Sequence, residues 1–295
     1  MRNLNDPRSA GFPQAWLIHT NAWLKVLRSR GLSEQTVEKR FDHISMMART
    51  FADTDPMEIT VGQLLDWLST TPWKPETRHS YYCSFRGFFR HCRPEDVHIQ
   101  AAFPSIRRRV PPPRPCPENI FNQAIADADE RTRLVLLLAG VLGLRAGEIA
   151  RVHITDISLD LMGYTLRIHG KGGKQRDIPL PNPLACLIIN RCSENGGYCF
   201  PGKKYAHITS HRLSKTATEF LPPPWTLHTL RHRFATRAYS AERDLLTLQQ
   251  LLGHESVATT QRYAKPPPEA IYKAINAALP KQWHHAAFLN EGERK

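Results

Sequence analysis

Between Phe103 and Pro117 the chain reads FPSIRRRVPPPRPCP, six prolines and four arginines in 15 residues. Proline fixes φ and lacks an amide hydrogen, so this stretch can form neither a regular helix nor a central strand. It divides the 295 residues into two parts that are each large enough to be a domain. The division predicts an N-terminal domain over 1–102, a basic, semi-extended linker over 103–117, a second domain over 118–280 and a tail over 281–295.

Lysine and arginine number 40 against 27 acidic residues, a formal net charge of +13 with histidine neutral. An excess of that size points to a polyanion, most simply nucleic acid. Basic residues outnumber acidic ones by 16 to 11 over 1–110 and by 14 to 7 over 201–295, against 10 to 9 between them. The charge is therefore not one disordered tail. The longest apolar run, Leu134–Leu144 (LVLLLAGVLGL), has 11 residues, where a membrane span needs about 20. Flanked by Arg133 and Arg145, it reads as a buried core helix, and no membrane partner is expected. The opening MRNLNDPRSAGFPQ lacks the apolar segment of a secretion signal. The six cysteines form no C-x-x-C pair, so reduced thiols in a cytoplasmic, nucleoid-associated protein are the expectation.

Residues 14–100 read as helical. Ser33 can cap a helix over Glu34–Phe51, with Val37, Phe41, Ile44 and Met47 at helical spacing. Thr60 can cap Val61–Leu68, and Pro75 suits the first turn of a helix running to about His91. The second domain is mixed. Helical patterns cover 118–127 and 131–142, and strand-like runs at Tyr164–His169 and Gln175–Leu180 flank Gly170-Lys171-Gly172-Gly173-Lys174, a hairpin signal. Helices resume over 208–219, 228–240 and Asp244–Leu252, the last stopped by Gly253. Ser256 can cap a short helix to Tyr263, Pro266–Pro268 break the chain, and Glu269–Leu279 closes it with Ile271, Ile275 and Leu279 on one side.

Four segments of the second domain carry chemistry. Arg145 and Glu148 stand three apart in GLRAGEI, and His228 and Arg231 have the same spacing in HTLRHRFAT. Lys171 sits at a glycine-rich tip in GKGGKQRDIPL. His254 follows a helix stop in LLGHESVATTQRY, with Tyr263 nine residues on. Singly, each is an ordinary ion pair, surface histidine, turn lysine or packing tyrosine. Taken in order, Arg, Lys, His-x-x-Arg, Gly-His and Tyr, the set resembles the catalytic signature of the tyrosine recombinases. The resemblance is strong from Glu118 to about Leu279; residues 14–100 resemble that family's helical core-binding domain more loosely.

The resemblance implies an α+β, mostly helical protein: an N-terminal helical, SAM-like core-binding domain and a mixed α/β catalytic domain, arranged as a C-shaped clamp on duplex DNA. It implies a site-specific recombinase that cuts and rejoins DNA through a covalent 3′-phosphotyrosine. Two guanidiniums can clamp the phosphate oxygens, whose charge rises as a nucleophile adds; Arg145 and Arg231 fit that part. A phenol of pKa about 10 needs help to attack. Tyr263 would be the nucleophile, His228 its base, Lys171 the acid that protonates the leaving 5′-oxygen, His254 a phosphate ligand and Glu148 the group that orients its neighbours. No cofactor or metal is expected, since strand exchange keeps the bond energy in the phosphotyrosine; the sequence also holds no phosphate-binding glycine loop and no carboxylate cluster for magnesium. Arg78 and Arg86 of the first domain and Arg107, Arg108 and Arg109 of the linker are candidate DNA contacts.

The implied partners are double-stranded DNA with paired half-sites, further copies of the chain forming a tetramer in the synaptic complex, and an accessory directionality factor. Some 13 residues precede the first helical stretch, too few for the arm-binding domain of many phage integrases. The plan is thus that of a simpler integrase of a phage or mobile element, or of the Xer recombinases that resolve dimers. A type IB topoisomerase-like enzyme shares the attack chemistry, and a decayed DNA-binding module is the non-enzymatic reading. Arg233, where the family often has a small polar residue, and Ala264-Lys265 after the tyrosine depart from the pattern.

Overall fold

The computed structural model describes residues 11–107, 112–203, 206–253 and 257–263. The chain forms two compact units, divided between Val110 and Pro111. Arg108, Arg109, His254, the Ser256 cap and the Glu269–Leu279 helix lie outside the described residues. No described helix is long and apolar enough to cross a membrane.

The N-terminal unit contains α1 (Gln14–Ser29), α2 (Glu34–Thr50), α3 (Val61–Thr70), α4 (Pro75–Cys92) and the short α5 (Val97–Ala101). The starts follow their chemistry. Ser33 Oγ accepts the Thr36 amide, Thr60 and Gln63 form a reciprocal capping box, and Pro75 occupies the first turn of α4. The core is aromatic: Trp16 stacks on Phe88 at 5.6 Å, and Phe89 on Phe103 at 5.8 Å, all four fully buried. The buried Trp16 indole donates to the carbonyls of Phe51 and Thr54, both at 3.0 Å, tying the loop after α2 to the core.

The second unit starts with α6 (Glu118–Asp127) and α7 (Glu130–Gly140), followed by the one-turn α8 (Ala146–Ile149). As the run of leucines predicts, α7 is buried on most of its surface, from Leu134 to Gly140. An antiparallel sheet of β1 (Ile157–Asp160), β2 (Gly163–His169) and β3 (Gln175–Leu180) follows in that order. Its register pairs Leu166 with both Ile157 and Ile178, and Leu166, Ile168, Ile178 and Leu180 form its buried face. α9 (Asn182–Glu194), α10 (Ser210–Thr218), α11 (Leu227–Glu242) and α12 (Leu245–Leu252) come next, then α13 (Val257–Thr260) and a 3-10 turn, Gln261–Tyr263. The apolar core of α7, the sheet, α9 and α10 extends to Leu227 and Leu230 at the start of α11.

Candidate active site

Two turns, one strand and one helix deliver the charged groups. Arg145 is not on a helix face with Glu148, as their spacing alone suggests. It is the residue before α8, and Glu148 lies in the first turn, reaching back over the cap. The Glu148 carboxylate accepts the Arg145 backbone amide at 2.9 Å and its guanidinium at 2.8 Å. Gly143 positions this turn with φ +66, and a Cβ there would stand 2.2 Å from the Phe234 ring, so only glycine fits.

Glu148 is almost wholly buried, and its second partner comes from the sheet. Arg176 of β3 straddles the carboxylate, with Nη1 and Nη2 at 3.0 and 2.9 Å, while its Nε donates to the Leu251 carbonyl at 2.9 Å. Burial alone would raise the Glu148 pKa. The hydrogen bonds and charge of Arg176, and then those of Arg145, outweigh it and hold the carboxyl at about 2. Arg231 of α11 stands on the same carboxylate at 3.7 Å. Its Nη1 and Nη2 donate to the carbonyls of Gly143 and Leu252 at 2.5 and 2.6 Å. Burial first, and then the charge of Arg145, lower its pKa to about 9 against the pull of Glu148, which leaves it protonated at neutral pH.

Arg145, Arg231 and His228 line one cavity of about 550 Å³, together with Ser210, His211 and Ser214 of α10. Arg145 keeps 44% of its side chain exposed there. Lys171 stands on the 3-10 turn Lys171–Gly173 at the tip of the β2–β3 hairpin, closed by a hydrogen bond from the Gly170 amide to the Lys174 carbonyl at 2.7 Å. The helix preceding His254 stops at Gly253, which takes the left-handed conformation at φ +60.

Tyr263 is 8% exposed and packs with Ala235, Leu248 and Leu252. Its hydroxyl lies 2.6 Å from Nδ1 of His232. His228, the base that the resemblance implies, lines the cavity, and its ring meets that of His232 edge-on at 4.3 Å.

A search for related families matches the phage integrase family over residues 118–269, more than half of the chain. The chain belongs to the phage integrase family. Its curated relatives in that family include tyrosine recombinase XerA of Pyrococcus furiosus, 35% identical over 157 residues, which are 50% of this chain and 54% of the relative. Tyrosine recombinase XerC of Methylobacterium sp. is 30% identical over 226 residues, 67% of this chain and 69% of the relative. The chain thus spans about half the length of the first of these relatives. Among solved structures, a lambda integrase dimer bound to a COC′ core site superposes with a TM-score of 0.66 at 21% identity, covering 88% of this chain and 81% of that one. That likeness establishes the shared fold, mostly helical with a small sheet.

Within this integrase-family fold, two residues at the site, Arg176 and His232, escape sequence reasoning, and a third, Arg233, is read only as a departure. Arg176 stands only five residues after Lys171 in GKGGKQRDIPL, yet its target lies 28 residues away along the chain. His232 sits beside Arg231 in the quoted motif. Arg233, the departure from the family pattern, is buried. Its Nη1 donates to the Gly140 carbonyl at 2.8 Å, its Nη2 to Glu118 at 2.5 Å, and its guanidinium lies 3.9 Å from the Phe121 ring centre. Glu118 also accepts Arg237 at 3.0 Å. Of the DNA-contact candidates, Arg78 and Arg86 are half-buried on α4, Arg78 reaching the Thr71 carbonyl at 3.5 Å, and Arg107 is exposed after Ile106.

Proposed function

We propose that the chain is a site-specific DNA recombinase that cleaves one strand with Tyr263, holds the 3′ end as a phosphotyrosine, and rejoins it to a second 5′-hydroxyl. The observation that carries this reading is the assembly of Arg145 and Arg231 around one buried carboxylate, at a cavity that also receives His228. Two guanidiniums fixed before substrate arrives meet charge that develops only in the transition state, and each such donor is worth about 10²–10³ in rate. Lys171, at the hairpin tip, is the proposed acid for the leaving oxygen, and His254 a proposed phosphate ligand. Glu148 and Arg176 hold the clamp in shape. Arg78 and Arg86, with Arg107, Arg108 and Arg109 of the linker, are proposed to follow the phosphate backbone of duplex DNA, and further copies of the chain to complete a tetramer on paired half-sites.

Integration of a mobile element is the first reading of the biological role. The Xer relatives favour a second, resolution of chromosome or plasmid dimers, which a plasmid carrying two directly repeated sites distinguishes by deletion between them without an accessory factor. The chemistry is tested with a nicked suicide substrate on a denaturing gel. The wild type should leave a covalent protein–DNA adduct, and Tyr263→Phe should bind the same DNA and leave none. An adduct that persists in the variant removes Tyr263 from the role.

A further inference from the structure

We propose that His232, rather than His228, takes the proton from the Tyr263 hydroxyl during attack, leaving His228 to face the phosphate. The inference rests on the recombinase reading above and assigns a residue within it. The two histidines are one helical turn apart on α11 and share a face, but they end in different surroundings. His228 lines the cavity with Arg145 and Arg231. His232 is 5% exposed and holds its Nδ1 2.6 Å from the tyrosine oxygen, within reach for direct proton transfer.

The step balances as follows. Neutral His232 carries its proton on Nε2 and a lone pair on Nδ1. The Tyr263 O–H bond breaks, and the proton moves to Nδ1. The phenolic oxygen forms a bond to phosphorus, and the bond from phosphorus to the 5′-oxygen breaks, that oxygen being protonated by the acid on the hairpin. Rejoining reverses each transfer, so the imidazolium returns its proton to Tyr263 when the phosphotyrosine is resolved. Among the described residues, the charged and titratable neighbours of His232 include His228 and Arg231 on its own helix, Tyr263 opposite it, and Glu148 behind Arg231. Of the helices packed on α11, α12 (LLTLQQLL) brings no titratable side chain. α7 keeps Glu130, Arg131 and Arg133 in its first turn, and α10 contributes His211, Arg212 and Lys215.

His232→Asn separates proton transfer from positioning, because an amide oxygen can accept the tyrosine hydrogen bond but cannot take its proton. Single-turnover cleavage of the suicide substrate should fall by about 10²-fold or more, with half-site binding unchanged. In the wild type, cleavage should weaken as pH falls and the acceptor becomes protonated; this acidic limb should vanish in His232→Asn and survive in a slower His228→Asn. Should His232→Asn lose DNA binding through misfolding, the His228→Asn profile decides alone. A substrate with sulfur as the 5′-bridging atom needs no acid, so it should rescue Lys171→Ala and leave His232→Asn slow. Near wild-type cleavage by His232→Asn, loss of the acidic limb in His228→Asn, or rescue of His232→Asn by the sulfur substrate would each overturn the assignment. Absence of any adduct in the wild type would instead remove the recombinase reading itself.

Discussion

Among the described residues, the buried polar side chains of the N-terminal unit are Thr20, His43, Ser45 and Ser84; those of the second unit include Glu148, Arg231 and Arg233. The first set is neutral at physiological pH. Burial, and then the charges of Lys39 and Arg40, push the His43 pKa down to about 4, and its Nδ1 shares the Ser84 hydroxyl with Arg40, both at 2.6 Å. The three named in the second are ionised, Glu148 lying against Arg231 and Arg176, and Arg233 against Glu118. A unit that only has to pack helices can fill its centre with rings, whose burial is favourable without partners. A unit that must present guanidiniums in fixed positions has to bury their counter-ion too. The desolvation of that counter-ion commonly exceeds the attraction gained, so the Glu148 network is kept for geometry, with stability a secondary matter.

The largest expected break in this contrast is Glu148→Gln. Removing one partner from a buried ionic network typically costs about 3–5 kcal/mol. Hydrogen exchange should lose protection around Gly143–Ala150 while the exchange of α2 and α4 is unchanged; equal loss in both units would abolish the distinction. Acid should then separate the units by the pH at which each is loosened. The His43 pKa is lower in the folded chain than its ordinary 6.5, so its contribution is full above 6.5 and fades as pH falls toward 4. The Glu148 pKa is lower than its ordinary 4.5, so its contribution is full above 4.5 and fades toward 2. Exchange corrected for its intrinsic pH dependence should therefore loosen α2 before the Glu148 turn, and the reverse order would contradict both assignments.

Smaller effects sharpen the same comparison. Arg233→Ala leaves the Gly140 carbonyl unpaired and uncovers the Phe121 ring, while Glu118 retains Arg237. A loss of about 2 kcal/mol is expected from the denaturation midpoint, confined to the second unit. Ile44→Val, at a fully buried position of α2, should cost about 1 kcal/mol in the first unit and leave the rate of adduct formation untouched; a change in that rate would mean that the aromatic core also sets the chemistry.

These contrasts also explain what could be read from the residues alone. Helix starts were legible where a side chain makes the cap, as at Ser33 and Thr60, and the hairpin where Gly170–Lys174 demands a turn. α9 was missed: NPLACLIINRCSE buries only Leu184, Ala185, Ile188 and Cys192, a stripe too thin to stand out between a strand and a glycine turn. Within the site, the order of Arg145, Lys171, His228, Arg231, His254 and Tyr263 carried the family. The local spacing did not reveal how they meet. Glu148 reaches one cation across a cap, a second comes from a strand and a third from α11. Which of two histidines one turn apart faces the tyrosine depends on how α11 rolls against α12 and the 3-10 turn, and no local pattern encodes that rotation.

Arg231 has a consequence for how such a site tolerates change. Its guanidinium is held by two main-chain oxygens, those of Gly143 and Leu252, from stretches far apart in the chain. Every residue type has that oxygen, so neither position advertises its part in the chemistry through its side chain. What must be inherited is the path of the backbone: a left-handed turn at Gly143, and a helix that stops at Gly253 so that the carbonyl before it is left to accept. A lysine at 231 offers one nitrogen where two directions are needed. A substitution that merely lengthens α12 by half a turn would displace Arg231 with every side chain of the site unchanged.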